Sequence, residues 1–184
     1  MYRGEQVILR AYEKTDLERA HQFFNDYEMM RFLRIGAIYP CSLEQEAEVI
    51  ENLNKDKSKG YAFAIATLDG KYIGGCGYMD LDQKNATCMV GIVIGDKDYW
   101  GKGYGTDAMR VLLGFLFREL SLRKVQLGVF AYNVRGIKSY EKVGYKVEGV
   151  FKDQIQRDGI FHDEVRMAIF RDDFLKRDHP PIAT

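Results

Sequence analysis

A glycine-rich turn between an apolar segment and an amphipathic segment constrains this chain more than any other feature. The turn is Trp100-Gly101-Lys102-Gly103-Tyr104-Gly105-Thr106. The short run before it, residues 90–94, is rich in β-branched residues and typical of a buried strand. After the turn, apolar residues recur at intervals of three and four and predict a helix: Met109, Leu112, Leu113, Leu116, Phe117 and Leu120. The order is therefore strand, glycine-rich turn, helix.

The turn has the chemistry of a phosphate site. Its three alternating glycines permit positive φ and leave no side chain in front of the backbone amides. The unpaired N–H groups and the dipole of a helix start attract phosphate or pyrophosphate, and Lys102 adds a further donor. The spacing fits neither a Walker A loop nor the dinucleotide fingerprint. A tight turn without a ligand is the alternative interpretation at this point.

Two segments together resemble the GNAT superfamily of N-acetyltransferases. The pyrophosphate loop of that family is Gln/Arg-x-x-Gly-x-Gly/Ala, and residues 100–105 fit it except that Trp100 replaces the Gln or Arg. Residues 133–145 resemble the family segment Asn-x-x-Ala-x-x-Leu-Tyr-Glu-Lys-x-Gly-Phe. Residues 158–167 resemble the RimJ/RimL branch, which contains ribosomal-protein N-terminal acetyltransferases and spermidine-acetylating relatives. The resemblance covers nearly the whole chain.

The pattern of elements agrees with this resemblance. Strands are predicted over 6–11, 61–67, 72–79, 87–94, 124–131, 145–156 and 160–170. Helices are predicted from a cap at Thr15 or Asp16, from a capping box at Ser42 towards residue 57, after the glycine-rich turn, and over 135–143. Residues 27–40 are predicted to be irregular. Asp69-Gly70 predicts a two-residue type I′ hairpin turn, and Asp158-Gly159 predicts a second hairpin.

We therefore expect a mixed α/β fold of the α+β class, the GNAT fold. Its sheet is twisted and mostly antiparallel, with one splayed parallel strand pair on either side of the helix that follows the glycine-rich turn, and with helices on both faces. Residues 1–177 are expected to form a single acetyltransferase domain, and residues 178–184 a disordered tail.

Composition limits the partners. Lys and Arg number 27, as do Asp and Glu, so charge gives no support for nucleic acid or a membrane surface as a main partner. The apolar runs are too short to span a bilayer, and the first residues have no signal-peptide core. Cys41, Cys76 and Cys88 lack a CxxC pattern, which favours reduced thiols in a cytoplasmic protein over disulfides or a metal site.

The resemblance implies where acetyl-CoA binds. The backbone of the splayed strand would pair with the pantetheine at Ile92, Val93 and Ile94. The pyrophosphate would lie on the turn, at Gly101, Lys102, Gly103, Tyr104, Gly105 and Thr106. Asn133 would contact the pantetheine arm, and Arg135 or Lys138 the phosphates of the adenosine.

Acetyl transfer to an amine requires a proton donor for the departing thiolate and a donor for the oxyanion. Tyr140 occupies the family position of the general acid beside the cofactor, and its hydroxyl has an ordinary pKa near ~10. The alternative is that Tyr140 only packs. A backbone N–H near Val93 or Ile94 would serve the oxyanion. Because no cysteine lies in the matched motifs, direct transfer in a ternary complex is predicted.

The general base is not identified by the sequence. Many relatives carry a Glu on the strand before the loop, where this chain has Met89. Asp80, Asp82 and Glu164 are candidates that would act through water, although a solvated turn or strand carboxylate is the simpler interpretation of each. His21 and His162 are not favoured.

The acceptor is predicted to be a protein or peptide α-amine. At pH 7, neutralising a lysine-like amine of pKa ~10.4 costs about 4.6 kcal/mol, whereas an α-amine of pKa ~7.8 costs about 1 kcal/mol. In the resembled family, the segment around the first two helices helps to form the acceptor site. Spermidine acetyltransferases place acidic residues after the first helix, and residues 34–38 have none, although Asp26 and Glu28 lie earlier.

Other acceptors and another class of function stay open. Spermidine, another polyamine, an amino sugar or an antibiotic is the alternative acceptor, and Glu44, Glu46, Glu48 and Glu51 could supply an acidic surface for it. A non-catalytic acetyl-CoA-binding sensor module is the alternative from a different class. The edge strands and the aromatic residues of the C-terminal hairpin permit a homodimer.

Overall fold

The computed structural model describes residues 1–33 and 36–177. The predicted tail, 178–184, and two residues of the acceptor segment, Arg34 and Ile35, therefore lie outside the described residues. The strands are β1 (Tyr2–Arg3), β2 (Val7–Arg10), β3 (Tyr61–Thr67), β4 (Tyr72–Asp82), β5 (Thr87–Ile94), β6 (Lys124–Phe130), β7 (Lys146–Arg157) and β8 (Ile160–Phe170). The α-helices are α1 (Leu17–Phe24), α2 (Tyr27–Met30), α3 (Leu43–Leu53), α4 (Tyr104–Arg118), α5 (Val134–Val143) and α6 (Arg171–Lys176).

The strands form one mixed sheet in the order β1-β2-β3-β4-β5-β6-β8-β7. Every neighbouring pair in this order is antiparallel except β5 and β6, which are parallel. The parallel pairing is short, because Thr87–Met89 of β5 face Lys124–Gln126 of β6 and the register then ends. The predicted splayed parallel pair in a mostly antiparallel sheet is confirmed.

Helices cover both faces of the sheet, as predicted. On one face, the apolar stripe of α4 packs on the main core together with Val143 of α5 and Phe174 of α6. On the other face, α1 and α3 cover a smaller cluster built on Ala20, Ala64 and Tyr72. Among the described residues, no helix combines the length and the apolar composition needed to cross a membrane. The glycine-rich turn lies beside the larger core.

Several local predictions are wrong in detail. Strand β1 and helices α2 and α6 were not predicted, because each is too short to show a period. The 69–70 turn is not type I′: only Gly70 has positive φ there, +92°, and Thr67 pairs with Lys71 across a three-residue connection. At the second hairpin, both Asp158 (φ +52°) and Gly159 (φ +77°) have the positive φ of a type I′ turn.

The cap of the first helix also differs from the prediction. The Asp16 carboxylate does not cap α1, because it pairs with the Arg10 guanidinium at 2.6 Å and accepts from the Glu13 N–H at 2.9 Å. A short 3₁₀ turn, Lys14–Asp16, therefore precedes the helix. The capping box that opens α3 is confirmed, since Ser42 Oγ accepts from the Gln45 N–H and Gln45 Oε1 accepts from the Ser42 N–H.

Candidate active site

The glycine-rich turn leads directly into α4. Gly101 (φ +73°) and Gly103 (φ +95°) have left-handed backbone, and Gly103 is the N-cap residue of the helix. Gly105 lies inside the first helical turn, and a Cβ added to it would make an ordinary 3.5 Å contact with Ile94 Cγ1. Two of the three glycines, not all three, are therefore required by the backbone of the turn.

The start of α4 presents free amides. The Asp107 N–H donates to the Gly103 carbonyl at 2.9 Å, which is the first hydrogen bond of the helix. In the described part of the chain, the N–H groups of Tyr104, Gly105 and Thr106 donate to no protein acceptor. These groups and the positive end of the helix dipole form an anion-binding surface. Lys102 lies exposed beside them.

A buried carboxylate fixes the first turn of α4 to the beginning of the chain. Asp107 is 5 % exposed, and it accepts hydrogen bonds from the N–H groups of Glu5 (3.2 Å), Gln6 (2.8 Å) and Val7 (3.1 Å). The Gln6 side chain lies against the turn, since a Cβ added to Gly103 would be 3.0 Å from Gln6 Nε2. Sequence reasoning missed this role, because an acid in a first helical turn is also explained by the helix dipole alone.

The splayed strands open the sheet beside the turn. Beyond Met89, the side of β5 that faces β6 has no strand partner among the described residues, and Ile92, Val93 and Ile94 lie on that stretch. The Ile94 carbonyl accepts a hydrogen bond from the Trp100 indole N–H at 2.6 Å. Of the three residues predicted to pair with the pantetheine, Ile94 therefore already has its carbonyl bound within the protein.

Helix α5 lies on the other side of the opening. Thr106 Oγ1 and Ser139 Oγ are 2.8 Å apart, and this contact ties α5 to the first turn of α4. Asn133 caps α5, because its Oδ1 accepts from the Gly136 N–H at 3.0 Å. The Arg135 guanidinium carbon lies 3.7 Å from the centroid of the Trp100 ring, and Lys138 is exposed. The two matched motifs thus meet at one place in the fold.

Tyr140 is half-buried on the inner side of α5. Its ring packs edge-on against Tyr145 with the centroids 5.9 Å apart, and within the described residues its hydroxyl has no hydrogen-bond partner. Burial raises the pKa of Tyr140 to about 12. The hydroxyl is protonated at neutral pH, as an ordinary tyrosine with a pKa near 10.0 also is, so the raised pKa keeps the proton on the phenol without making it a stronger acid.

Two of the candidate bases lie at the wrong end of the strands. Asp80 follows Met79, which pairs with Met89, and Asp82 pairs with Thr87, at the end of β5 that is still hydrogen-bonded to β6. Asp82 accepts hydrogen bonds from Asn85 at 2.8 and 2.6 Å, which lower its pKa and show that it fixes the turn. In place of a glutamate, the Met89 sulfur lies 3.8 Å from Arg166 Nη1.

The other candidate bases have structural partners. Glu164 is 0 % exposed and forms an ion pair with Arg166 Nε at 3.1 Å. His21 Nε2 contacts the Cys41 carbonyl oxygen at 2.9 Å on the opposite face of the sheet. The His162 ring packs against Tyr132, with the ring centroids 4.7 Å apart. Glu164 lies opposite Phe130 at the end of β6, beyond the parallel pairing of β5 and β6, and His162 lies opposite Ile155 of β7.

Residues 26–33 and 36–38, which we call the acceptor wall because the resemblance predicts that this segment helps to form the acceptor site, lie against the open side of the sheet. The Tyr132 hydroxyl donates to the Arg31 carbonyl at 2.5 Å, and the buried Arg157 donates to the Gly36 and Leu33 carbonyls at 3.0 and 3.2 Å. An open surface cleft of about 310 Å³ lies where the wall meets the β7–β8 hairpin. Its lining residues are Tyr27, Ile38, Gln156, Arg157, Asp158 and Gly159.

The carboxylates of the acceptor wall and the hairpin tip are paired. Lys97 Nζ lies 2.7 Å from Asp26 and 2.5 Å from Glu28, and this contact lowers the pKa of Asp26. Asp158 at the hairpin tip pairs with Arg31 at 3.3 Å and accepts from the Tyr27 hydroxyl. On α3, Glu46 is buried, so the acidic surface predicted there consists of Glu44, Glu48 and Glu51.

Comparison with known proteins agrees with this geometry. The family model for the GNAT acetyltransferase domain matches residues 6–146. The spermidine N(1)-acetyltransferase of Escherichia coli K12 is 25% identical over 178 residues, which cover 97% of this chain and 93% of that protein. Bacillus subtilis YdaF, named provisionally as a ribosomal N-acetyltransferase, is 30% identical over 175 residues, which cover 91% of this chain and 93% of YdaF.

A solved structure with the same fold is the spermidine N-acetyltransferase of Vibrio cholerae in complex with CoA and spermine. It superposes with a TM-score of 0.83 at 24% identity, covering 92% of this chain and 98% of that chain. The relatives named as N-acetyltransferases favour the predicted enzyme over the alternative of a non-catalytic module. The chain belongs to the GNAT acetyltransferase family and is an acetyl-CoA-dependent acyltransferase.

Proposed function

We propose that this protein transfers the acetyl group of acetyl-CoA to an α-amine of a peptide or protein by direct transfer. The observation that carries the transfer itself is the placement of Tyr140. The half-buried phenol lies on the helix that Thr106 and Ser139 tie to the free amides of α4. A protonated donor and an anion-binding surface therefore flank one opening in the sheet.

Different residues around the opening would bind the cofactor and donate the proton. Acetyl-CoA supplies the activated acetyl group when it is bound. The N–H groups of Tyr104, Gly105 and Thr106 would hold its pyrophosphate, and the backbone of Ile92 and Val93 would hold its pantetheine arm. The Tyr140 hydroxyl would donate the proton that the leaving thiolate requires. An N–H near Val93 or Ile94 would stabilise the negative charge on the acyl oxygen.

The preference for an α-amine rests on charge. The acids near the open side already have cationic partners. Asp26 and Glu28 of the acceptor wall pair with Lys97, and Asp158 at the hairpin tip pairs with Arg31. A polycation such as spermidine would compete with these pairs, whereas a peptide end brings one amine of low pKa. Glu164 is paired with Arg166, His162 packs on Tyr132, and Asp80 and Asp82 lie away from the opening, so we expect no strong base for an amine of high pKa.

The test is the release of free thiol from acetyl-CoA with a panel of acceptors at pH 7 and pH 9. The panel pairs a peptide that has a free α-amine with the same peptide blocked at its N-terminus and carrying one lysine, and adds spermidine, an amino sugar and an aminoglycoside. We expect the free α-amine peptide to react fastest at pH 7. Turnover with spermidine above that with every peptide would contradict the acceptor assignment and leave the acetyltransferase assignment intact.

A further inference from the structure

Three side chains from separate parts of the chain stack beside the glycine-rich turn. The guanidinium carbon of Arg135 lies 3.7 Å from the ring centroid of Trp100 and 5.5 Å from that of Phe32. The two rings meet edge to face, with their centroids 6.3 Å apart. Trp100 begins the turn, Phe32 belongs to the acceptor wall, and Arg135 lies in the first turn of α5. A planar guanidinium is thus held by two aromatic rings.

The rings of Trp100 and Phe32 are both held in place by neighbouring residues. The Trp100 indole N–H donates to the Ile94 carbonyl at 2.6 Å, so the ring plane is tied to the end of β5. The Phe32 ring packs on Tyr132 with the centroids 6.0 Å apart, and the Tyr132 hydroxyl binds the carbonyl of the preceding residue, Arg31. The two rings that contact the Arg135 guanidinium are therefore held in place, while Arg135 itself is exposed to solvent.

Arg135 has no hydrogen-bonded or ion-paired acid in the described part of the chain, and the Glu28 carboxylate acts on it only at longer range. No carboxylate forms an ion pair with it and no acceptor forms a hydrogen bond with it there, in contrast to Arg10 and Arg19, which pair with Asp16 and Asp96. Burial lowers the pKa of Arg135, and the nearby Glu28 carboxylate offsets part of this change, so the guanidinium has lost part of its hydration. A guanidinium has five N–H donors, and those of Arg135 are free to bind an anion.

We propose that Trp100 and Phe32 are positioning residues that hold Arg135 for a phosphate group of coenzyme A. This inference rests on the proposed function, because it assumes that the α4 amides bind the same cofactor. Trp100 occupies the position where the family loop has Gln or Arg. In this chain, the ring at that position presents a guanidinium from α5 instead of contacting the phosphates itself.

The test compares the binding of CoA, 3′-dephospho-CoA and pantetheine by calorimetry. The variants are Arg135→Gln, Trp100→Leu, Phe32→Leu and the conservative Trp100→Phe, with Lys142→Gln as a control at an exposed position of the same helix. We expect Arg135→Gln and Trp100→Leu to weaken CoA binding about tenfold, the loss typical of a charge-assisted hydrogen bond. Pantetheine, which has no phosphate, is expected to bind all variants within twofold.

The conservative variant separates the ring face from the indole hydrogen bond. Trp100→Phe keeps an aromatic face for Arg135 but loses the bond to Ile94, so its loss of CoA affinity is expected to be smaller than that of Trp100→Leu. Trp100 is the single tryptophan of the chain, so its emission reports on the stack directly. Without ligand, Arg135→Gln and Phe32→Leu are expected to shift this emission to the red, and Lys142→Gln is not.

The outcomes are distinct. If Arg135→Gln weakens the binding of CoA but not that of 3′-dephospho-CoA, Arg135 binds the 3′-phosphate. If it weakens the binding of both, Arg135 binds the pyrophosphate. Both results support the inference. CoA binding within twofold of wild type in Arg135→Gln and Trp100→Leu would overturn it, as would an equal loss of pantetheine binding. If the wild-type protein itself does not bind CoA, the proposed function fails, and the wild-type titration shows this separately.

Discussion

The carboxylate of Asp107 lies 2.8 Å from the backbone nitrogen of Gln6 and joins the first turn of α4 to the start of β2. It also accepts from the N–H groups of Glu5 and Val7, so one buried acid satisfies three backbone donors that lie a hundred residues away in the chain. A Cβ on Gly4 would be 2.4 Å from Asp107 Oδ2, so the neighbouring backbone approaches the carboxylate closely. The orientation of the amides of α4 depends on this contact.

Replacing the Asp107 carboxylate tests its structural role. Asp107→Ala leaves three N–H groups without an acceptor, and we expect the free energy of unfolding to fall by about 3 kcal/mol. The measurement is urea denaturation at pH 7. Glu119→Ala, an exposed position at the other end of the same helix, is the control and is expected to change the stability by less than ~0.5 kcal/mol. Equal effects of the two substitutions would contradict the assigned role.

The left-handed conformation of Gly103 predicts a loss of cofactor affinity on substitution. Gly103→Ala strains the backbone at φ +95° by about 1–2 kcal/mol and pushes a Cβ against the Gln6 amide. Because the amides of the turn must move, we expect acetyl-CoA to bind roughly tenfold more weakly. Gly149→Ala, where nothing lies within 4 Å of the added Cβ, is the control and is expected to bind normally. Unchanged affinity in Gly103→Ala would separate this turn from the phosphates.

The ion pairs of Lys97 predict a change in acceptor preference. Lys97→Ala frees Asp26 and Glu28 to attract a cationic acceptor, so kcat/KM for spermidine is expected to rise roughly threefold, within the ~0.2–1 kcal/mol of an exposed ion pair. The rate with an α-amine peptide is expected to change less. Lys59→Ala removes a comparable surface cation that pairs with Asp56, and it is expected to leave the ratio of the two rates unchanged. A fall in the spermidine rate would show that these carboxylates do not face the acceptor.

The raised pKa of Tyr140 predicts a loss of stability at alkaline pH. The unfolded tyrosine ionises near pH 10.0, whereas in the folded protein burial raises its pKa to about 12. The stabilising contribution of the neutral phenol is therefore complete below pH 10 and decreases by about 1.4 kcal/mol per pH unit between pH 10 and 12. Burial raises the pKa values of Tyr12, Tyr72 and Tyr145 in the same direction.

Denaturation in urea at pH 9 and pH 11 measures this decrease. In Tyr140→Phe the decrease is expected to be smaller by about 1.4 kcal/mol, because the phenylalanine does not ionise in the unfolded chain. The same decrease in wild type and variant would mean that the Tyr140 hydroxyl is not desolvated in the folded protein.

Much of the fold follows from local patterns. The bounds predicted for β3, β5 and β8 agree with the structure, because alternating or continuous apolar runs between turn residues determine them. The start of α4 and the end of α5 at Gly144 (φ +118°) follow from glycines in left-handed conformations. Because both motifs resemble those of the GNAT family, the glycine-rich turn and Tyr140 were expected to lie beside the same cofactor.

What was not predicted depends on contacts between distant residues. The bonds from Asp107 to residues 5–7 and the stack of Arg135 on Trp100 join segments that no local period connects. The pairing of Asp26 and Glu28 with Lys97 was missed for the same reason, although the proposed preference for an α-amine depends on it. A sequence does not show whether a carboxylate is free or paired with a cation. The net charge of the acceptor wall could therefore be assessed only from the structure.

The most direct test of the central claim is Tyr140→Phe, measured for both acetyl-CoA binding and turnover with the best acceptor of the panel. If the Tyr140 hydroxyl protonates the leaving thiolate, kcat is expected to fall by a factor of about 10² to 10⁴, while the Kd for acetyl-CoA stays within threefold of wild type. Tyr39→Phe, at a side chain that is 77 % exposed, is the matched control and is expected to retain full turnover. Turnover of Tyr140→Phe equal to that of wild type, with acetyl-CoA bound normally, would contradict the account.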